Sequence, residues 1–511
     1  MSEGTPFSGP ILVLGATGYV GGRLVPRLLE KGCTVRAASR SLSKLKCRPY
    51  ADHPRMQLVE VDVLDQSSLE RALDGCRAAF YLVHSMAPGQ KGFAEKDRRA
   101  ATNMANAAGN ASIDRVVYLG GLGQSDRGLS EHLESRMEVG RILQKGKVPL
   151  TWFRAAIILG AGSGSFEILR HLVNRLPVMI TPKWVRTESQ PIAISNVLHY
   201  LTACLTIPET SGRVFDICGP DVFTYQDLFQ MYARIAGLGS RVIIPVPFLS
   251  PRLSAYWIGL VTPVPSALAR PLTEGLKNRV VCETNEAIKT MPQDLLTCEQ
   301  AIQRALNTLA QERVETCWSD AGVVCRPEWL TPDDSSYAGV TVLEFRYRAV
   351  YNAGPDIIWS TIARIGGRQG WYFADFLWTL RGGLDKILGG VGKSRGRRHP
   401  TVLRSGDALD VWRVLDSVPE KRLLLGAEMK MPGEAVLEFL LSSGGGTETE
   451  LVLSAKFHPR GLLGLAYWYG MYPFHLLLFR RMLRRIGSVS GGRMLLGPEP
   501  ARPEPFSCPK S

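Results

Sequence analysis

Apolar and polar positions follow two rhythms along this chain. Over residues 9–160, short apolar runs alternate with stretches whose apolar residues recur every three or four positions. The runs are ILVLGA (11–16), TVRAAS (34–39), MQLVEVDV (56–63), AAFYLVHS (78–85), RVVYLGG (115–121) and LTWFRAAIIL (150–159), with a helix predicted near 19–31. β-rich runs separated by helices predict an α/β fold, a doubly wound parallel sheet. Right-handed crossovers would then set every strand C-terminus along one edge, where ligands bind.

Residues 160–310 mix helix and strand and would form a small substrate region on that sheet. Prolines interrupt 245–271, which predicts an irregular lid or surface segment. A turn-rich stretch near 320–338 marks a boundary. The division read here is a first domain over 1–310, a linker over 311–338, a second domain over 339–487 and a disordered tail over 488–511. In the second domain ALDVWRVLD, RLLLGAEMK, EAVLEFLLS and TELVLSAKF fall at hairpin spacing, and an apolar helix covers about 462–486. This predicts an α+β antiparallel-sheet domain with a long C-terminal helix, the curved sheet gripping the helix around an apolar cavity. Trp359, Trp371, Phe373, Trp378, Trp412, Phe439, Trp468 and Tyr472 would either line that cavity or pack as a core.

Composition adds limits. The 511 residues exceed one ordinary core, and 45% hydrophobic with 21% charged residues is globular. The formal net charge of +14 has much of its excess in two clusters, KSRGRR (393–398) and RRMLRR (480–485). These read either as solvated patches or as contacts for an anionic head group or acidic surface. Nucleic acid is not expected. The ten cysteines form no C-x-x-C pair, and no Cys/His group has zinc spacing, so no metal site is expected. Scattered single cysteines suggest a reducing, cytoplasmic location. The N-terminus lacks a basic n-region and a cleavage pattern. Residues 253–269 and 462–479 carry no charged side chain, yet both fall short of the ~20 apolar residues of a membrane span. They read as buried or cavity-lining helices, with peripheral contact at an inner membrane face as the alternative.

The strongest local chemistry is LGATGYVGG, with Gly15, Gly18 and Gly21 directly after an apolar strand and at a helix start. Glycine suits a tight turn, backbone approach to a pyrophosphate and close helix packing, and the helix N-terminus favours anions. Thr17, Tyr19 and Val20 complete this cofactor-binding turn. The second strand ends in Ser39-Arg40 where an acidic residue would select NAD. With Lys44 nearby, this favours NADP, with NAD possible. Asp62 and Val63 would lie at the adenine pocket, whereas Asp65 suits the N-cap of the following helix.

These motifs resemble the extended and atypical short-chain dehydrogenase/reductases, in particular the NmrA-like and complex-I-subunit-like branch, over about residues 1–310. The resemblance implies a Rossmann sheet holding NAD(P). Arg154-Ala155 stands where Arg-Pro is common in that group. The whole chain is similar to a bacterial group in which this module precedes a conserved uncharacterised domain, through RIGGRQGWYFADFLW, LRGGLDKILGGVG and YWYGMYPFHLLLF. The antiparallel pattern of that domain is similar to START/polyketide-cyclase helix-grip domains.

In active members of the reductase group a Tyr-x-x-x-Lys pair and a nearby Ser handle the proton and the substrate. Here the same spacing carries His132 and Arg136, and Gly120-Gly121 stand in the place of the Ser, with Ser125 and Ser130 nearby but off pattern. His132 and Arg136 share a helix face. Imidazole can do acid–base work near neutral pH, and Arg136 can hold a ribose or pyrophosphate but keeps its proton. His84 is a second acid–base candidate. The alternative reading makes His132 a helix-start residue and Arg136 an ion partner of Glu134, Glu138 or the cofactor. The functional expectation is therefore an NADP-dependent oxidoreductase acting on an apolar substrate. The alternative is a non-catalytic NADP-binding sensor or assembly factor with a lipid- or quinone-binding second domain.

Overall fold

The computed structural model describes residues 9–83, 93–123, 130–246, 251–262, 264, 266–311, 314–317, 327, 329, 342–367, 369–388, 390–392, 397–445 and 447–501. The chain forms two compact units, Met1–Val323 and Val324–Ser511.

The first unit opens with β1 (Ile11–Leu14), α1 (Gly21–Glu30), β2 (Val35–Ser39), α2 (Leu42–Lys46), β3 (Met56–Glu60) and α3 (Gln66–Leu73). It continues with β4 (Ala78–Tyr81), α4 (Phe93–Ala111), β5 (Arg115–Gly121), α5 (Glu131–Gln144) and β6 (Leu150–Ala155). Then come β7 (Ile158–Leu159), α6 (Gly164–Arg175), β8 (Val178–Pro182), β9 (Glu188–Ser189), β10 (Ile192–Ala193) and α7 (Ile194–Ala203). The unit is completed by β11 (Val214–Ile217), β12 (Phe223–Thr224), α8 (Tyr225–Ile235), β13 (Val242–Val246), α9 (Pro251–Val261), α10 (Ser266–Gly275), α11 (Glu286–Thr290) and α12 (Cys298–Ala310).

Seven of these strands form one parallel sheet in the order β11-β6-β5-β4-β1-β2-β3. The order reverses between β1 and β4, which opens a crevice at their C-terminal ends. β1 and β4 are buried on both faces, as a parallel sheet covered by helices requires. One core lies under α1 and α7, and another under α3, α4 and α5.

Two expectations for this unit change. Within residues 245–271, expected as an irregular lid or surface segment, Pro251–Val261 forms α9, with proline at its first position, and α10 begins at Ser266; residues 247–250, 263 and 265 lie outside the described residues. Cys218 and Cys282, 64 residues apart in sequence, form a disulfide beside Leu122 and Val280. Spacing does not reveal such a pair, because the sheet brings its two halves together.

The second unit contains β14 (Leu343–Asn352), α13 (Pro355–Ile362), α14 (Asp375–Ile387), β15 (Ala408–Leu409), β16 (Trp412–Val418) and β17 (Arg422–Ala427). β18 (Gly433–Gly445), β19 (Glu448–Pro459), α15 (Gly461–Ser490) and β20 (Arg493–Pro500) follow. The strands form an antiparallel sheet in the order β15-β16-β17-β18-β19-β14-β20. Trp371, Trp412, Phe439 and Trp468 pack into one core with Phe479, Met482 and Ile486 of α15, so these aromatic residues serve as core. Tyr472 is exposed.

Three further expectations fail in this unit. Arg493–Pro500, read as part of a disordered tail, is the edge strand β20 on β14. The helix expected to be buried leaves Leu462, Leu463, Tyr469 and Phe474 exposed. From the KSRGRR cluster, Arg397 donates to the carbonyls of Ala363, Ile365 and His399, and Arg398 pairs with buried Asp407 at 3.0 Å. These two arginines are therefore engaged inside the unit, and Lys393–Gly396 lie outside the described residues.

Candidate functional site

The turn between β1 and α1 has the geometry its glycines predict. Gly15 takes φ +84°, a conformation L side chains rarely adopt. A Cβ on Gly21 would overlap the Gly15 carbonyl oxygen, so helix and turn close on one another with no side chain between them. α1 has no side-chain cap, which leaves its N-terminus to an anion. Thr17 is buried in the turn and Val20 forms the helix start.

Tyr19 turns away from the turn's open side. Its hydroxyl approaches Gly160, and Arg23 lies 4.2 Å over its ring. Burial pushes the Tyr19 phenol up to about 12. Buried Arg23 donates to the carbonyls of Ala161 and Thr316, and Thr316 donates to the Tyr19 carbonyl at 2.8 Å. This network fixes the back of the turn against the segment between β7 and α6 and against Thr316.

At the end of β2, Ser39 accepts from the Ser41 amide at 3.3 Å, and Arg40 is exposed. Lys44 differs from its expected role. It is 4% exposed within α2, so it does not reach out toward a 2′-phosphate. Arg48, which the pattern did not single out, does reach the turn. It donates to the Thr17 carbonyl at 2.9 Å, and Tyr50 donates to the neighbouring Ala16 carbonyl at 3.4 Å. A second cation after β2 within a few residues of Arg40 was the available signal.

Asp62 is exposed beyond β3 and accepts from the Leu64 amide at 3.0 Å, with Val63 partly buried beside it. Asp65 is the N-cap of α3, accepting from the Ser67 amide, as its position predicts.

The acid–base candidates divide. His84 and Ser125 lie outside the described residues. Ser130 caps α5 and accepts from the Leu133 amide. His132 sits partly buried in the first turn of α5, and Arg136 one turn further on. Arg136 donates to the carbonyl of Leu119 and lies 5.4 Å over the ring of Tyr118, whose hydroxyl donates back to the Arg136 carbonyl at 3.0 Å. Glu138, offered as an ion partner for Arg136, instead faces Arg98 at 3.5 Å. The basic group at the Lys position of the usual pair is thus fixed at the C-terminal end of β5, beside the crevice.

Gly120 and Gly121 follow Leu119. A Cβ on Gly120 would meet Trp152 Nε1 at 2.7 Å, and one on Gly121 would meet Leu133 at 2.9 Å, so neither place accommodates a serine without movement. Gly120 pairs with Arg154 across β5 and β6, and Arg154 holds Asp216 of β11 at 2.6 Å. This ion pair is a polar feature of the sheet edge that the sequence showed only as a departure from Arg-Pro. Tyr81 and Tyr118 both feel the charge of Arg136. Burial, the largest cause, raises both above the usual phenol value, so neither is suited to donate a proton at neutral pH. Beyond the strand ends, Leu122, Ala156, Cys218 and Val280 form a small apolar cluster. α10 packs near α5, with Gly275 close to Leu133 and Ser130, while α9 exposes Leu253, Tyr256 and Trp257.

Known proteins agree with this geometry. Residues 15–149 match the NAD(P)H-binding family, and residues 338–482 match a protein family of unknown function, DUF2867. The chain is 24% identical to the photosystem II assembly factor Ycf39 of Cyanophora paradoxa, over 47% of this chain and 73% of that protein. It is 23% identical to the mitochondrial NADH-ubiquinone oxidoreductase 40 kDa subunit of Neurospora crassa, over 50% of this chain and 68% of that protein. It is 32% identical to cinnamoyl-CoA reductase 1 of Petunia hybrida, over 44% of this chain and 76% of that protein. With its glycine turn, its parallel sheet and a relative of this closeness, the chain belongs through its first unit to the NAD(P)H-binding short-chain dehydrogenase/reductases, and it carries a DUF2867 domain behind it.

Proposed function

We propose that the first unit is an NADP(H)-dependent reductase of an apolar carbonyl or ene substrate, with His132 in place of the usual tyrosine. The observation that carries this reading is the seat of Arg136 on the Leu119 carbonyl, with His132 one turn nearer the start of the same helix. The dinucleotide would lie across the Gly15–Gly21 turn, with Arg40 and Arg48 near its adenosine end, and it supplies the hydride when bound. His132 would deliver the proton to the substrate oxygen. Arg136 would hold positive charge beside the imidazole and favour its release of that proton. Exposed Leu253, Tyr256 and Trp257 on α9 favour an apolar substrate.

A broad panel of aldehydes, ketones and enones tests the proposal by NADPH oxidation. Turnover that His132→Ala abolishes, with NADPH affinity unchanged, supports it. Turnover unaffected by that substitution removes His132 from the chemistry.

A second reading, a non-catalytic NADP(H)-binding sensor or assembly factor, is favoured by one observation. Gly120 and Gly121 offer no hydroxyl where the group's serine stands, and neighbouring side chains fill the space. Saturable NADPH binding with no turnover over the whole panel would select it.

A further inference from the structure

α15 has two apolar faces. One lies along the sheet through Gly464, Trp468, Phe479, Met482 and Ile486, with Trp468 stacked on Phe457 and Phe479 against Phe345. The other faces water. Leu462, Tyr469, Pro473 and Leu477 follow one another at multiples of three or four residues, so they form one stripe, and Leu462 is 84% exposed. The same stripe continues into Arg480 and Arg484, and Arg481 and Arg485 are exposed beside them.

α14 repeats the pattern. Phe376, Leu380, Leu384 and Ile387 form an outward stripe, and Phe376 is 71% exposed, while Trp378 and fully buried Asp385 turn inward. Two contacts link the surroundings of the helices. Arg481 lies 5.4 Å over Phe373, just before α14. Arg381 of α14 donates to the Lys430 carbonyl, two residues before Pro432, whose own carbonyl abuts Gly464 of α15.

A surface helix in a globular unit normally keeps apolar residues on its core side alone. Two helices with outward apolar stripes, tyrosines among them and four exposed arginines at one end of α15 make a surface for the boundary of a lipid bilayer. The charge selects the partner. α15 contains no acidic residue, so its arginines match anionic head groups and would repel one another across an interface between copies. The helix is long and apolar enough to cross a membrane. However, it is packed on the sheet from Trp468 to Ile486, roughly 27 Å of its length, which suits lying in the interface plane.

We propose that the second unit docks on an anionic phospholipid surface through the outward faces of α14 and α15, with Arg480, Arg481, Arg484 and Arg485 on the phosphates. Flotation of the full chain with vesicles tests this. Vesicles of phosphatidylcholine with phosphatidylglycerol carry the protein upward, vesicles of phosphatidylcholine alone carry far less, and added salt releases it. Arg484→Gln with Arg485→Gln weakens binding roughly thirtyfold, since each surface arginine contributes about fivefold. Leu462→Ser with Phe376→Ser weakens binding to both kinds of vesicle. Unchanged circular dichroism and an unchanged melting transition of the second unit show that these variants are folded. No flotation of the unaltered chain, or flotation indifferent to the substitutions, overturns the proposal. So does a dimer that ignores vesicles and falls apart in Leu462→Ser, which would make the face a contact between copies.

Discussion

Gly21 shows how much a single side chain decides. Its missing Cβ would overlap the Gly15 carbonyl oxygen, and a backbone atom cannot rotate aside. Gly21→Ala is therefore expected to destabilise the first unit by about 1–3 kcal/mol and to weaken NADPH binding, read by thermal melting and fluorescence titration. His475 is the corresponding residue of the second unit. It sits among Phe345, Trp468 and Phe479, and burial lowers its pKa to about 4. The folded unit thus keeps His475 neutral where the unfolded chain would bind a proton. Stability is complete above the ordinary histidine value near 6.5 and falls as pH drops toward 4, by about 3 kcal/mol if His475 acts alone. His475→Gln should flatten that part of the pH–stability curve in urea unfolding, and an unchanged slope would remove His475 as its cause. Neither environment is written locally. The glycine turn was legible because its spacing is rigid, whereas the His475 cage joins residues more than a hundred positions apart.

At the scale of elements, Arg154 and Asp216 tie β6 to β11 across the sheet edge. Asp216 has a side chain only 6% exposed, so removing Arg154 strands a buried carboxylate. Arg154→Ala should cost about 3 kcal/mol, while Arg154→Met with Asp216→Leu should recover most of the loss, because two matched apolar groups leave no orphan charge. A double cycle in which the pair of changes costs the sum of the two single changes would show that the ion pair contributes nothing. The parallel strands were legible from their apolar runs and β20 was not. Arg493–Pro500 contains a glycine and two prolines and takes its place by pairing with β14, a tertiary choice that local preference opposes. The same distinction governs the candidate site. The HxxxR spacing put His132 and Arg136 on one helix face, but only the packing of α5 on β5 showed Arg136 bound to Leu119 rather than to Glu138. Likewise only the folded α2 showed Lys44 buried and Arg48 bound to the Thr17 carbonyl.

Across the whole molecule, each unit buries its own core, with one set of clusters under the parallel sheet's helices and another between the antiparallel sheet and α15. Each should therefore have its own cooperative transition in calorimetry. The glycine turn belongs to the first unit and His475 to the second, which gives the transitions independent handles. NADPH at about a hundred times its dissociation constant adds roughly 2.7 kcal/mol to whatever binds it. That stabilisation should raise the transition assigned to the first unit and disappear in Gly21→Ala. Lowering pH from 6.5 toward 4 should lower the other, and that part of the shift should disappear in His475→Gln. NADPH raising both transitions equally would mean that the units unfold as one, and nucleotide occupancy would then be felt at the arginine-bearing face of α15. NADPH raising one alone confines the cofactor's effect to the first unit, and any membrane docking by the second would proceed whether or not the nucleotide is bound.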